Sequence, residues 1–396
     1  SEEAIVLASA TGDSVTSLRA ARAAAVARLA SGDAAAALAA IEPHIDAAEQ
    51  LDDVSARAEL LSDYGLLLER TDRRGEAVAL YDRAAQLARD GNNLIAAQIA
   101  LANSAVSCVY LGQLDQALVR NERALQLASE MEADSISIAI DKINRGGMLI
   151  EAGRFSEALD LLEAALPVVE RAEAVSWWLM ATQHLAFLWA TLGQPGRARK
   201  VAARVRLPQE PVQQVLWHGL QLRIGRWTGT PIEPHAIEVR RGLTEVPLLT
   251  RQRLLLEIEL CRGLAAAESS LRLRRIASEA RAKQQFAFAL TAEGLRIAAL
   301  SAADEAQMAA ELASQWLNEH AKVDPYDVYL PELLLAAAVA RKSIGDEVTA
   351  ADAIAQARRW TALAVDRLPA SLRDGFIRRN AVNQSVAAWR TGATML

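Results

Sequence analysis

Alanine recurs through the first half of this chain at Ala37, Ala77, Ala117, Ala158 and Ala198, at intervals of 40, 40, 41 and 40 residues. A second small residue keeps the same register: Ala25, Gly65, Ala105, Gly146 and Ala186. Seven residues after each of these comes a turn position, Gly32, Asp72, Gly112, Gly153 and Gly193. Small residues held in register mark places where two helices cross closely, because a larger side chain would push the backbones apart. A fixed period of this length is the signature of a helical-repeat solenoid, which grows by adding units that each contact their neighbours.

Composition agrees with helix. Hydrophobic residues make up 52% of the 396 and aromatics only 5%, while alanine dominates and β-branched runs are scarce. Of the 11 prolines, only Pro43 interrupts the regular repeat helices of the first 166 residues. No eighteen-residue stretch is uninterruptedly apolar, so no membrane span is expected. The start, Ser1-Glu2-Glu3, lacks the basic and apolar segments of a signal peptide. It fits either removal of an initiator Met or a piece of a longer chain. Cys108 and Cys261, 153 residues apart, form no disulfide framework, and a reducing cytoplasm is the expected setting.

Net charge is −6, unevenly spread. Residues 1–174 carry 28 acidic and 15 basic side chains, and residues 175–396 carry 21 acidic and 28 basic. This asymmetry either steers a partner and favours head-to-tail self-contact or is a solvated surface that varies. No dense Lys/Arg run with interleaved aromatics appears, so nucleic-acid binding is not expected.

In the second unit, the spacing predicts helices over about Val54 to Arg70 and Gly75 to Arg89, with the polar turn Thr71–Arg74 between them. Leu61, Tyr64, Gly65 and Leu68 share a face of the first, and Ala77, Tyr81 and Ala84 a face of the second. The order Gly65, turn, Glu76-Ala77, Tyr81, Ala84 resembles the tetratricopeptide repeat. The fourth unit resembles it again through Gly146, Gly153, Phe155, Glu157, Ala158, Leu162, Ala165, Leu166 and Pro167. The period departs from the usual unit of about 34 residues, implying longer helices and loops. The resemblance covers residues 14–206 well and the rest loosely. It implies an all-α, right-handed superhelix of about nine antiparallel helix pairs.

After Ala198 the rhythm fails. Pro208, Pro211, Pro231, Pro234 and Pro247 crowd a stretch that also holds Gly225 and Gly229, so helices there are expected to be short, kinked or interrupted. Gly294, Ala306 and Ala313, then Ala338, Gly345, Ala350 and Ala357, restore it. Four segments follow: regular repeats over 1–206, a degenerate proline-rich joint over 207–250, repeats seven to nine over 251–366, and capping helices over 367–396. In the tail, Leu372, Phe376 and Ile377 form an apolar stripe suited to closing the last repeat. Its Leu-Pro, Arg and Asn pattern resembles the ends of tetratricopeptide regions in large bacterial regulators, which carry a nucleotide-switch or DNA-binding module ahead of the repeats.

Two positions before the small crossing residue stand Asp63, Asn103, Asn144 and His184, again spaced by 40, 41 and 40 residues. In tetratricopeptide solenoids the first helix of each pair lines the concave face, so the resemblance places these four on it as a polar ladder. An asparagine amide offers one acceptor and two donors, which suits holding a peptide by its backbone, as the resemblance to bacterial peptide receptors implies. The competing reading has the four bonding neighbouring helix ends. Five of eight tryptophans, Trp177, Trp178, Trp189, Trp217 and Trp227, fall where the rhythm breaks, near His184, His218 and Arg223. They either anchor a ligand, Trp178 and Trp189 foremost, or fill gaps left by broken helices.

No catalytic constellation is visible. Arg145-Gly146-Gly147 lies inside a predicted helix without a following Lys-Ser/Thr. The five histidines show no metal-ligand spacing, and Asp52 and Asp53 read as helix-start residues. The expectation is a non-enzymatic cytoplasmic recognition module without cofactor or metal. It would bind a peptide, protein segment or small effector, as the sensing part of a bacterial transcription or signalling regulator. The alternatives are a passive scaffold and a homodimer joined through its charged halves.

Overall fold

The computed structural model describes residues 14–390 apart from 31, 49–51 and 132–133. The acidic start and the last six residues lie outside the described residues. All regular structure among the described residues is helical. The chain forms two compact units, residues 1–141 and 142–396.

The first unit holds α1 (Ser14–Ala30), α2 (Ala34–Ile41), the short α3 (Ile45–Ala48), α4 (Val54–Arg70), α5 (Arg74–Asp90), α6 (Leu94–Tyr110), α7 (Leu114–Glu130) and the start of α8 (Ser135–Glu151). The second holds the rest of α8, then α9 (Phe155–Arg171), α10 (Val175–Thr191), α11 (Pro195–Ala202), α12 (Pro211–Thr228), α13 (Glu233–Glu245), α14 (Thr250–Cys261), α15 (Ala266–Ala282), α16 (Phe286–Ala302), α17 (Ala306–His320), α18 (Leu330–Ser343) and α19 (Glu347–Asp366). The tail adds α20 (Ala370–Arg379) and α21 (Ala381–Ala388). Short turns join α1 to α2, α4 to α5 and so on to α18 and α19, making nine antiparallel pairs among the described residues.

The register seen in the sequence is a packing register. Ala37, Ala77, Ala117, Ala158 and Ala198 are all fully buried. At the crossing positions, a Cβ on Gly65 would sit 2.9 Å from the Tyr81 ring, and one on Gly146 would sit 2.6 Å from Leu162. Each first helix therefore lies directly against the large side chain of its second helix. The five turn positions share one left-handed conformation, with φ of 87, 64, 76, 69 and 68° at Gly32, Asp72, Gly112, Gly153 and Gly193. In this turn the amide three residues past the helix end reaches back to a carbonyl of the last turn, as Arg73 N–H does to Leu68 at 2.8 Å and Gln194 N–H to Trp189 at 2.8 Å. Asp33, Asp53 and Asn93 cap the helix that follows each, accepting from Ala36, Ala56 and Ala96 at 2.9–3.0 Å.

The proline-rich stretch matches the expectation in α13, which is short at 13 residues, and differs from it in α12, which runs unbroken over 18. Pro211 opens α12 and Pro234 lies in the first turn of α13, where the missing N–H has no intrahelical partner to lose. Pro208, Pro231 and Pro247 fall between helices. Proline here punctuates the repeat.

The tail also does something the repeat does not prescribe. Leu372 and Phe376 are buried, but Ile377 is 41% exposed and lies off the closing stripe. Phe376 meets not only the last repeats, through Tyr329, but also Phe155 of α9 edge-on, with ring centroids 5.5 Å apart. Trp360 of α19 packs edge-on against Phe155 as well. The Asn380 side chain donates to the Thr191 carbonyl at 3.0 Å. A Cβ on Gly193 would lie 2.4 Å from the Gly375 carbonyl oxygen, so the two backbones touch. The end of the second unit thus folds back onto that unit's first two helix pairs.

Candidate functional site

The four ladder positions fall, as the register requires, on the first helices of four successive pairs, α4, α6, α8 and α10. Their surroundings differ. Asp63 accepts from Arg22 Nε, while Arg22 Nη1 donates to Glu59 at 2.7 Å, so this carboxylate ties α4 to α1. Burial raises the Asp63 carboxyl above its usual range, with Arg22 acting in the opposite direction. Asn103 and Asn144 are half-buried, and neither amide has a side-chain hydrogen bond among the described residues.

His184 is enclosed, at 6% exposure. Its Nε2 would lie only 2.8 Å from a Cβ on Gly147. Burial holds its pKa down at about 4, so the ring is neutral near pH 7. The structure therefore gives His184 no open surface on which to meet a ligand.

What encloses this face is a segment of the same chain. The loop between α17 and α18 brings Asp327 against the first helices α8, α10 and α12. The Asp327 amide donates to Glu151 Oε1 at 2.9 Å, and its carbonyl accepts from Arg223 Nη2 at 2.6 Å. Its carboxylate accepts from Arg223 Nη1 and, at 3.5 Å, from the Gln183 amide. Asp327 itself holds a left-handed φ of 61°. Arg223, 5% exposed, lies over the rings of Phe187 and Trp227, at 5.1 and 4.9 Å, which themselves pack together with centroids 4.9 Å apart. Burial, and then the neighbouring Asp327 charge, push the Glu151 carboxyl well above the usual range. A cavity of about 300 Å³ adjoins this cluster, lined by Phe187, Arg223, Trp227, Glu259, Arg262 and Asp327 among others.

The two tryptophans singled out as anchors sit differently. Trp189 is 4% exposed, with the Arg197 guanidinium 4.5 Å over its ring. Trp178 is half-buried, and its buried Nε1 has no hydrogen-bond partner. Trp217 donates to the Val205 carbonyl at 2.9 Å, which makes it a strut between α12 and the end of the preceding pair.

Sequence reasoning missed Glu151 and Asp327, and met Arg223 only as a neighbour of the tryptophans. One signal pointed to them: the loop over 321–329 is far longer than the turns within the pairs, and long ordered loops carry function. Asp141 was also missed. It accepts from the buried Gln98 amide at 2.5 Å, and burial pushes its carboxyl up to about 6. The thiols of Cys108 and Cys261 are buried and pushed up to about 11, unsuited to nucleophilic chemistry. Among the described residues no three His, Cys, Asp or Glu side chains are placed to share a metal ion. No described helix is long and apolar enough to cross a membrane.

No family model matches the sequence, and no curated protein matches it. Among solved structures, the chain is similar to a Rap protein complexed with Competence and Sporulation Factor, at 10% identity and a TM-score of 0.47, covering 94% of this chain and 97% of that one. It is similar to a signal-transduction ATPase with numerous domains and a tetratricopeptide-repeat sensor from Pyrococcus horikoshii, at 13% identity and a TM-score of 0.40. That match covers 87% of this chain and 55% of the ATPase, so the chain spans about half of its length. The tetratricopeptide domain of P58(IPK) matches at 12% identity with a TM-score of 0.23, covering 84% of this chain and 99% of that domain.

Proposed function

We propose that this chain is a non-enzymatic recognition module whose first-helix faces hold an extended peptide, a protein segment or a small effector. The observation that carries the reading is the treatment of Asp327. Groups from α8 and α12 hold its amide and its carbonyl as they would the backbone of a bound peptide, while Arg223 and Gln183 hold its side chain. This face carries groups able to bond both the amide and the carbonyl of a peptide unit. Asn103 in the first unit and Asn144 in the second, each with an unengaged amide on the equivalent position of its own helix, are the proposed ligand contacts of their respective units, with half-buried Trp178 as an apolar anchor in the second. Asp63, His184 and Trp189 carry less of the reading, because each is already committed to a partner or enclosed. The setting we infer is the cytoplasmic sensing or interaction part of a bacterial transcription or signal-transduction regulator, which the tail's resemblance supports.

The test is the intact mass of the protein, isolated from its source cells under non-denaturing conditions. A bound mass that is lost on denaturation, and lost from the Asn103→Ala/Asn144→Ala variant, supports the reading. A bound partner retained in full by that variant supports a scaffold that works through another surface. A bare dimer that dissociates above about 0.15 M salt, where the screening length is roughly 8 Å, supports self-assembly through the charged halves.

A further inference from the structure

Helix α6 contains no Asp, Glu, Lys or Arg among its 17 residues. A surface helix ordinarily turns charged side chains to water on its outer face. Here the outer stripe is Ile95, Ile99, Asn103 and Val106, at steps of four, four and three residues. Ile95 is 64% exposed and Ile99 46%, while Asn103 and Val106 are half-buried.

The repeat register carries this stripe to the neighbouring first helix. Ile136 and Ile140, at the start of α8, stand 41 residues beyond Ile95 and Ile99, and Ile136 is 38% exposed. The buried Gln98 amide donates to Asp141 at 2.5 Å, so α6 and α8 lie side by side there. Two isoleucines from each helix thus form one apolar strip, contained in the first unit. Exposed isoleucines scattered singly are ordinary, but a contiguous set marks a binding surface. On the other flank, the Asn93 amide donates to Ser55 at 2.6 Å and ties α6 to α4. The α4 residues 40 positions before Ile99 and Asn103 are Glu59 and Asp63, two carboxylates that share the single guanidinium of Arg22.

The strip is narrow. Ile95, Ile99 and Ile136 together expose less than two whole side chains, whereas a stable dimer buries about 800 Å² on each partner. One short segment of chain fits such a strip better than a folded surface does. An acyl chain would cover the isoleucines but leave the Asn103 amide, one turn further along the same stripe, unanswered. A peptide supplies both aliphatic side chains and a backbone for that amide.

We propose that the first unit selects a short peptide segment by its aliphatic side chains, seated on Ile95, Ile99, Ile136 and Ile140, with a basic residue directed towards Glu59 and Asp63. Two carboxylates against one guanidinium leave the α4 end of the face acidic, which attracts a basic side chain and repels an acidic one. The uncharged stripe of α6 offers no partner to a charge, so the residues that cross it are apolar. The inference rests on the peptide-binding reading above and adds which peptides the first unit accepts.

The test begins with a phage-displayed library of random twelve-residue peptides selected on the full chain. The selected sequences should share two or more Leu, Ile or Val residues and a Lys or Arg, and should lack Asp and Glu. In fluorescence anisotropy, Ile95→Ser/Ile99→Ser should weaken binding of the labelled winner by about tenfold or more. Exchanging the peptide's basic residues for glutamate should weaken it by a smaller factor. Both isoleucines are exposed, and circular dichroism melts confirm that the variant is folded. Selected peptides without aliphatic residues, no convergent peptide, or binding indifferent to the isoleucine variant would overturn the proposal. If Asn103→Ala weakens the winner while the isoleucine variant does not, the peptide-binding reading survives and this inference alone falls. If neither weakens it, both fall. Displacement of the peptide by dodecanoate at comparable concentration would overturn the proposal in favour of a lipid site. A dimer in light scattering that the isoleucine variant abolishes, without peptide binding, would overturn it in favour of a second copy.

Discussion

The two units are built from one repeat and treat their first helices differently. In the first, Asn103 on α6 keeps its amide unengaged. In the second, Asn144 on α8 is likewise unengaged, but Glu151 at the end of α8, Gln183 on α10 and Arg223 on α12 are occupied by Asp327, delivered from a loop 104 residues beyond Arg223 and 176 beyond Glu151. Identical helix-pair geometry therefore does not decide whether a recognition face is available. A segment arriving from far along the chain decides it, and periodic packing says nothing about such a segment.

The contrast can be broken most severely at the strap itself. Asp327→Ala leaves buried Arg223 with only the longer pair to Glu259, at 3.8 Å, and full unpairing of a buried ion pair costs about 3–5 kcal/mol, which bounds the effect from above. We expect denaturant unfolding of the second unit to shift by up to that amount, while hydrogen exchange in α4 to α7 stays unchanged. Loss of protection in both units would contradict a strap that acts only where it sits.

His184 gives the next largest effect. Its folded pKa, about 4, lies below the ordinary 6.5, so the unfolded chain binds the proton first. The stability tied to the neutral ring is present above pH 6.5 and is lost as pH falls towards 4, by up to roughly 3 kcal/mol. Glu151, raised in the folded state, acts in the opposite sense, because its folded form holds a proton the unfolded chain releases more readily. Comparing wild type with His184→Gln isolates the histidine. The variant should show a flatter loss of stability between pH 6.5 and 4, read from urea midpoints, and an identical slope would show that the ring is not enclosed.

Glycine turns sharpen the comparison further. Gly193 in the second unit has a φ of 68° and touches the Gly375 carbonyl, whereas Gly32 in the first has a φ of 87° and nothing within 4 Å of a Cβ. Gly32→Ala should cost about 1 kcal/mol, from backbone conformation alone. Gly193→Ala adds a backbone clash and should cost about 1–3 kcal/mol more, loosening α20. Equal melting temperatures for the two variants would argue against the fold-back of the tail. The smallest expected effect is on stability at Asn103. Asn103→Ala, which removes no hydrogen bond, should stay within about 0.5 kcal/mol of wild type.

What the sequence revealed and what it hid divide along the same line. Local and nearest-neighbour chemistry was legible: α4 runs over Val54–Arg70 as its periodicity predicts, and α5 over Arg74–Asp90, one residue longer at each end than its spacing suggests. Gly65 is small because Tyr81 lies against it. The prolines of 208–247 signalled the short α13 but not the unbroken α12, because proline is costly inside a helix and harmless at its start, and composition does not distinguish the two without a boundary. His184 was indistinguishable from Asn103 by register, since its burial comes from Gly147, one repeat away, and from a loop outside the repeat. Arg223 and Asp327 carry no periodic mark at all.

The central claim is that the first-helix faces of this repeat grip a peptide backbone, and the strap offers a direct way to test it. Residues 324–328 would be exchanged for a Gly-Ser linker of equal length, and a labelled peptide spanning residues 322–330 would be added in trans. The account predicts that the linker protein loses thermal stability, binds the peptide and regains stability on binding, while the wild type, whose face is filled, binds none. A linker protein as stable as wild type that ignores the peptide would contradict it.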